Sequence, residues 1–376
     1  MQGRLVLRNC SLSRADGRVQ RDLSVVVQNR KIATVGPDVE VSVLPGDWEV
    51  RCAGRLVLPG LIDCHTRLVN AALTPWTGAF LMKTYQDRTL HEWRVAESLT
   101  AGEVEAIAAY SMARGLKQGV TMFVEHLTAP SDVEGALHAE ASAATHLGAR
   151  LVNSHATQSV SSEDPATVAG AAQVESNARY AEHYRNHHLV RASIGFHSSG
   201  AVDDDVLRAA GSAKERLAIG AHFRLAENGD DLAATWRRSN SRVVSRIDRF
   251  GLLGGGSIGA RALAIDRSEA ARLADSRTLV ALSPRSGLVV EGGSAFGSEG
   301  ALIDQNLVGL GSSGRGSLAE EFAAGFADLM SLSRAGRLID PDGLLAAFLV
   351  SGPAELCTMI FGDRSGSIEP GALADL

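Results

Sequence analysis

Between Thr100 and Asn153 the chain twice alternates a helix-period stretch with a short apolar run, and this rhythm narrows the possible folds more than any other feature. Thr100–Lys117 (TAGEVEAIAAYSMARGLK) places Val104, Ile107, Ala108 and Met112 at helical spacing, with Thr100 as N-cap and Glu103 completing a capping box. Val120–Val124 has strand character, Ser131–Leu147 reads as a second helix and Ala149–Asn153 as a second strand. Strands that alternate with helices predict a parallel sheet covered by helices, a barrel rather than a sandwich. A chain of 376 residues is long enough for a full barrel plus a small accessory domain.

The first 56 residues have a different texture. Arg4–Cys10 and Leu23–Gly36 are short β-branched runs with polar alternation, and the second turns at Asn29-Arg30-Lys31, which predicts hairpins. The net charge of −6 argues against a general nucleic-acid or polyanion binder. No apolar stretch reaches the ~18 residues of a membrane span, and the N-terminus lacks the layout of a secretory leader, so a cytoplasmic location is expected. Cys10, Cys52, Cys64 and Cys357 are scattered without a C-x-x-C pair, which predicts reduced thiols and no structural zinc site. Gly251–Gly259 (GLLGGGSIG) is glycine-rich but leads into no Lys-Ser/Thr pair, so it reads poorly as a phosphate loop.

Five segments concentrate the residues able to do chemistry. Leu56–Arg67 (LVLPGLIDCHTR) is an apolar run that turns at Pro59-Gly60 and continues as a strand carrying His65 and Arg67; alternate strand residues face one side. The others are Ile219–Glu227 (IGAHFRLAE), Ser257–Asp266 (SIGARALAID), Ala281–Gly287 (ALSPRSG) and Leu307–Gly314 (LVGLGSSG). In these positions the chain resembles the amidohydrolase superfamily, whose first barrel strand reads Pro-Gly-Leu-Ile-Asp-x-His-x-His. Within it, Gly119–His126 and Ser193–His197 are similar to the cytosine/guanine deaminase and chlorohydrolase group, and to SsnA-like aminohydrolases in particular.

The resemblance implies a (β/α)8 barrel over residues 57–350, with a small β-sandwich built from residues 1–56 and an incomplete return at 351–376. Gly366–Leu376 is similar to the family segment that leads into closing sandwich strands, and the sequence stops there. The resemblance also implies a metal-dependent hydrolase of carbon–nitrogen bonds, normally with zinc or iron. Here Arg67, Arg224 and Arg261 fall on the family's histidine ligands and Ser313 on its aspartate, while Ser283 and Gly287 replace two asparagines of the seventh-strand motif. His65 is the one retained ligand. A guanidinium stays protonated and has no free lone pair, so it cannot replace imidazole on a metal. Neither a bound metal nor another cofactor is therefore expected.

Glu227 keeps the position of the family's acid/base glutamate and is the candidate catalytic residue. Beside arginines, however, a carboxylate makes a poor general acid, and pairing with Arg224 or another arginine is the stronger expectation. His65, Arg67, His197, Arg224, Arg261 and Ser313 are candidate ligand-binding residues; His126 is a lesser candidate, and His222 is expected in the core or supporting a site residue from behind. The three arginines leave two outcomes open. Either the mouth binds a small anion through forked contacts, or the side chains form ion pairs that fill the former metal site, including by drift. The expected function is that of a ligand-binding protein or partner subunit, as a homo-oligomer or beside an intact relative, without metal-dependent hydrolysis. The alternative is an active deaminase- or chlorohydrolase-type enzyme with a remodelled centre around Glu227.

Overall fold

The computed structural model describes residues 3–13, 19–73, 93–129, 131–159, 170–287, 307–314, 316–334 and 346–376, with positions 296, 302 and 343. Five strands form the N-terminal sheet: β1 (Leu5–Ser13), β2 (Val19–Gln28), β3 (Lys31–Pro37), β4 (Trp48–Arg51) and β5 (Leu56–Val57). β1 and β3 flank β2 in antiparallel register, Leu7 opposite Val25 and Val25 opposite Val35, while β4 and β5 run parallel to β1. The β2–β3 hairpin turns on Asn29 (φ 51°) and Arg30 (φ 67°), two consecutive left-handed residues, as a two-residue hairpin turn requires. Cys10, Leu12, Leu23, Val25 and Ile32 are buried and pack with Ala372, so the C-terminal segment covers this sheet. It joins the sheet through an antiparallel bridge between Lys31 and Leu373. The second layer expected of a sandwich is thus represented, among the described residues, by that returning segment.

The barrel strands follow: β6 (Leu61–Thr66), β7 (Val120–Glu125), β8 (Arg150–Asn153), β9 (Val190–Ala192), β10 (Ile194–Ser198), β11 (Ala221–Leu225), β12 (Ile258–Arg261), β13 (Leu279–Leu282) and β14 (Val308–Leu310). They form two parallel arcs, β6 to β9 and β10 to β14. β9 and β10 are one strand interrupted at Ser193, whose amide still bonds to Asn153 O (3.1 Å). At the other junction β14 lies against β6: a Cβ on Gly309 would stand 2.6 Å from Cys64 Sγ. The Ser313 amide reaches His65 O (2.9 Å) across the same junction. Eight strand positions in parallel with helices around them are the arrangement of a (β/α)8 barrel.

The helices are α1 (Leu68–Leu73), α2 (Ala101–Leu116), α3 (Val133–Leu147), α4 (Gly170–His183), α5 (Asp204–Leu217), α6 (Gly229–Ser239), α7 (Val243–Arg249), α8 (Arg267–Ser276), α9 (Leu318–Arg334) and α10 (Gly352–Phe361). The expected capping box forms at α2: Thr100 Oγ1 accepts from the Glu103 amide, and Glu103 accepts from the Thr100 amide. Val104, Ala108 and Met112 are buried, whereas Ile107 is half-buried. α3 begins at Val133, two residues later than the sequence suggests, because Asp132 caps the Gly135 amide.

Alternation along the strands separates two cores. Phe123, Leu151, Phe223 and Leu225 join the apolar layer beneath the helices. Ile62, Met122, Val124, Val152, Ile258 and Leu279 form a second cluster, closed below by Leu356 and Cys357 of α10. On β11 the residues between Phe223 and Leu225 and before them, Arg224 and His222, therefore take the opposite side, where the candidate site lies. No helix among the described residues is long and apolar enough to cross a membrane.

Candidate active site at the barrel mouth

His65 ends a chain of hydrogen bonds that sets its tautomer. Ser154 Oγ donates to Glu125 O (2.8 Å), so its oxygen accepts from His222 Nδ1 (3.1 Å). His222 Nε2 is then the acceptor for His65 Nδ1 (2.9 Å). His65 Nε2 is left with a bare lone pair, buried and without a partner. His126, just past β7, has Nε2 3.1 Å from Phe196 O, which makes that nitrogen the donor and leaves Nδ1 without a partner. Its ring centre lies 5.6 Å from that of His65 and 4.6 Å from that of His222. Burial holds His65 and His126 well below the usual histidine range and His222 down to about 3. His222, expected in the core or supporting a site residue from behind, is buried and is the direct partner of His65.

The arginines meet carboxylates and amides. Glu227, buried at the end of β11, pairs with Arg224 through Nη1 (3.4 Å) and with Arg261 of β12 through Nη1 on its other oxygen. Both arginines are themselves buried. Arg67 donates from Nη1 (3.1 Å) and Nη2 (2.5 Å) to the side-chain oxygen of Asn70 on α1. Nearby, Glu125 Oε2 accepts from the Leu68 amide (2.8 Å), capping the start of α1. Arg224 and Arg261 thus pair with Glu227, and Arg67 with an amide, while the alternative of a bound anion stays open.

Ser313 Oγ lies 2.8 Å from Ser283 Oγ, which donates to Gly311 O (2.6 Å). Beneath it Asp63 accepts from the Ser312 amide (2.9 Å) and Ser312 Oγ (2.5 Å), tying β6 to the end of β14. Burial pushes Asp63 up to about 6 against these bonds. His197 is buried on β10; its amide donates to Thr157 O (2.8 Å) and its Nδ1 lies 3.4 Å from Ser198 Oγ. The sequence reading marked Ser283 as a motif position but gave no role to Asn70, Asp63 or Ser154, since each acts through a neighbour.

Backbone strain gathers at the same end. Ala226 (φ 42°), Arg261 (φ 79°), Ala262 (φ 56°) and Ser313 (φ 51°) are all left-handed non-glycine residues just at or beyond β11, β12 and β14. Such conformations cost free energy and collect at functional sites. The Ala262 and Ala264 amides bond to Leu225 O (2.9 Å) and Ala226 O (3.0 Å), which hold the turn after β12 against β11.

The model of the amidohydrolase family matches residues 56–376, the whole barrel and the returning C-terminus. The chain belongs to the amidohydrolase family. Among similar amidohydrolases is a 5-methylthioadenosine/S-adenosylhomocysteine deaminase of Haloarcula marismortui, 27% identical over all of this chain and 82% of that protein. A deaminase of the same name from Teredinibacter turnerae is 26% identical over 96% of this chain and 79% of its own length. A crystal structure of a zinc-bound adenosine deaminase from Xanthomonas campestris superposes on 98% of this chain and 83% of that one, with TM-score 0.83 and 20% identity. The Escherichia coli guanine deaminase gives TM-score 0.79 at 17% identity, over all of this chain and 88% of its own. These likenesses establish the barrel fold.

The divalent ion usual in an amidohydrolase finds a poor donor set here. His65 Nε2 and His126 Nδ1 are available lone pairs, but a catalytic zinc takes about three protein ligands and an open position. The next groups around His65 are the guanidiniums of Arg224, Arg261 and Arg67, whose charges disfavour a cation. Among the described residues no three His, Cys, Asp or Glu side chains are placed to hold a metal ion. Among the described residues, those around His65 do not fit the group.

Proposed function

We propose that the barrel mouth recognises a nitrogen heterocycle of the kind named for its relatives, a 5′-methylthioadenosine-like nucleoside, and binds it without metal-dependent hydrolysis. The ligand class is supported by deaminase relatives matched across 96% and 100% of the chain. The absence of that chemistry is supported by one observation, the double ion pair on Glu227. In metal-assisted hydrolysis the ion would bring a bound water to a pKa near ~7 and a carboxyl would relay its proton. Here the carboxyl accepts from two guanidiniums, and the ligand positions around it are cationic. Such a chain would act as a ligand-binding protein or as the partner subunit of an intact relative, with a small anion as another possible occupant. Its four cysteines are unbridged, which suits the reducing cytoplasm proposed as its location.

The comparisons favour a second reading more strongly than this one. The relatives' names are those of active deaminases, which supports a hydrolase of carbon–nitrogen (non-peptide) bonds working through a remodelled centre with Glu227. Measuring metal content of the purified protein, thermal stabilisation by 5′-methylthioadenosine, and ammonia release from it separates the two. Stabilisation with neither metal nor ammonia upholds the binding reading; ammonia release at a rate abolished by Glu227→Gln establishes the hydrolase.

A further inference from the structure

The opposite end of the barrel holds a cavity of about 480 Å³. It opens where the strands begin, between Ala192–Ser193, Ile219–Gly220 and Gly255–Gly256, and is walled on one side by Met359 and Ile360 of α10. This size falls in the range of small-molecule sites, about 300–1,000 Å³. Three cations line it, Arg185, Arg191 and Lys214, against one carboxylate, Glu215. Among the described residues neither Arg185 nor Lys214 makes a side-chain ion pair, while Arg191 donates only to the carbonyls of Val190 (3.1 Å) and Tyr184 (3.5 Å). Arg191 is steadied by the Phe361 ring, 5.2 Å from its guanidinium carbon.

Two further features point to an occupant. Ser193, a residue of the cavity wall at the break between β9 and β10, is buried (1% exposed), and its Oγ has no hydrogen-bond partner. A buried hydroxyl left so costs about 1–3 kcal/mol unless a ligand or water completes it. Across the cavity the amides of Gly255 and Gly256 have no acceptor among the described residues. The loop sits close against β11, since a Cβ on Gly220 would fall 1.9 Å from Gly256 O. Lys214 is half-buried, and burial lowers its ammonium below the usual lysine range, a cost that an anion would relieve. The glycine stretch that fails as a phosphate loop in sequence thus meets its cations from other elements.

We propose that this cavity binds a small phosphate monoester with an apolar body, the phosphate held by Arg185, Lys214, Ser193 and the Gly255–Gly256 amides, the body against Met359 and Ile360. Flexible cations with free amides suit a tetrahedral anion. The site is at the far end of the barrel from Glu227 and stands apart from the reading of the mouth.

Calorimetric titration of the full chain with phenyl phosphate tests it, with Lys214→Met, Arg185→Ala and Ser193→Ala as variants. One equivalent should bind; Lys214→Met and Arg185→Ala should each weaken it about tenfold or more, and Ser193→Ala several-fold, with unchanged melting temperatures in the absence of ligand for the two cation variants. Inorganic phosphate should bind more weakly than phenyl phosphate. No binding by the wild type, or binding that survives Lys214→Met and Arg185→Ala together, overturns the proposal. Neither result bears on ammonia release or metal content at the mouth.

Discussion

Arg261 reaches from the sixth barrel strand position to the carboxylate of Glu227 at the end of the fifth, completing a clamp begun by Arg224 three residues before that glutamate. The three side chains are buried together, so their charges are balanced by one another more than by water. Removing one member of such a group leaves an uncompensated charge, at a cost of about 3–5 kcal/mol. Glu227→Gln is therefore expected to lower the unfolding free energy by ~3 kcal/mol in urea denaturation. A triple change to Leu at 224, 227 and 261 should cost less than the three single changes summed. Additive effects would mean that the three do not act as a unit.

Restoring the family's ligands should restore its metal. The variant carrying Arg67→His, Arg224→His, Arg261→His and Ser313→Asp is expected to bind about one divalent ion per chain, the stoichiometry of a catalytic site with three or more protein ligands. Metal analysis after dialysis checks it. Absence of binding would mean that Asn70 and Ser283, which now hold Arg67 and Ser313, have reshaped the mouth.

The histidine chain predicts a single tautomer. In ¹⁵N spectra His65 and His222 should both carry their proton on Nδ1 and stay neutral down to pH 5, because burial holds both below the usual range. Ser154→Ala removes the acceptor for His222 Nδ1 and should cost about 1–3 kcal/mol, with a change in the His65 nitrogen shifts. An Nε2 proton on His65 would break the argument.

Glu140 gives a pH test. It lies buried on α3, neither carboxylate oxygen has a partner, and burial pushes it up to about 8; burial also raises Glu125 well above the usual carboxylate range. The folded state keeps a proton that the unfolded chain releases near 4.5. Stability from this group is thus complete below pH 4.5 and is lost as pH rises to about 8. Glu140→Gln should flatten that decline, and be more stable than wild type at pH 8.5 by on the order of 2 kcal/mol. Parallel melting curves from pH 5 to 8.5 in both proteins would contradict it.

The left-handed turn after β12 predicts a gain from glycine. Ala262→Gly removes a Cβ from a φ of 56° and should stabilise the protein by about 0.5–1 kcal/mol. A loss instead would show that the Ala262 methyl packs well enough to outweigh the strain.

Much of this site was legible because its residues sit at fixed offsets within single strands. Arg224 and Glu227 share β11 and its following turn, and the expectation that they pair needed only that spacing. The helix rhythm and the Thr100–Glu103 box were local in the same way. What stayed hidden depends on register between strands. Ser154, His222 and His65 come from the residue after β8, from β11 and from β6, and nothing in any one segment marks the line they form. The contact of Arg67 with Asn70 also crosses elements, because α1 starts immediately after Arg67 and brings Asn70 within reach. The sandwich expected at the N-terminus depended on strands from the C-terminus, where the described chain contributes one bridge.

That returning segment does more than cover a sheet. Asp375 accepts the Gly60 amide at 2.8 Å and pairs with Arg150 at 2.5 Å, while the Ala374 amide bonds to Arg30 O at 3.0 Å. The β3 hairpin, the entrance to β6 and the start of β8 are thereby stitched at one knot. Releasing Ala374 and Asp375 would cut all three threads at once, so this short segment is the place where the accessory sheet could be loosened from the barrel.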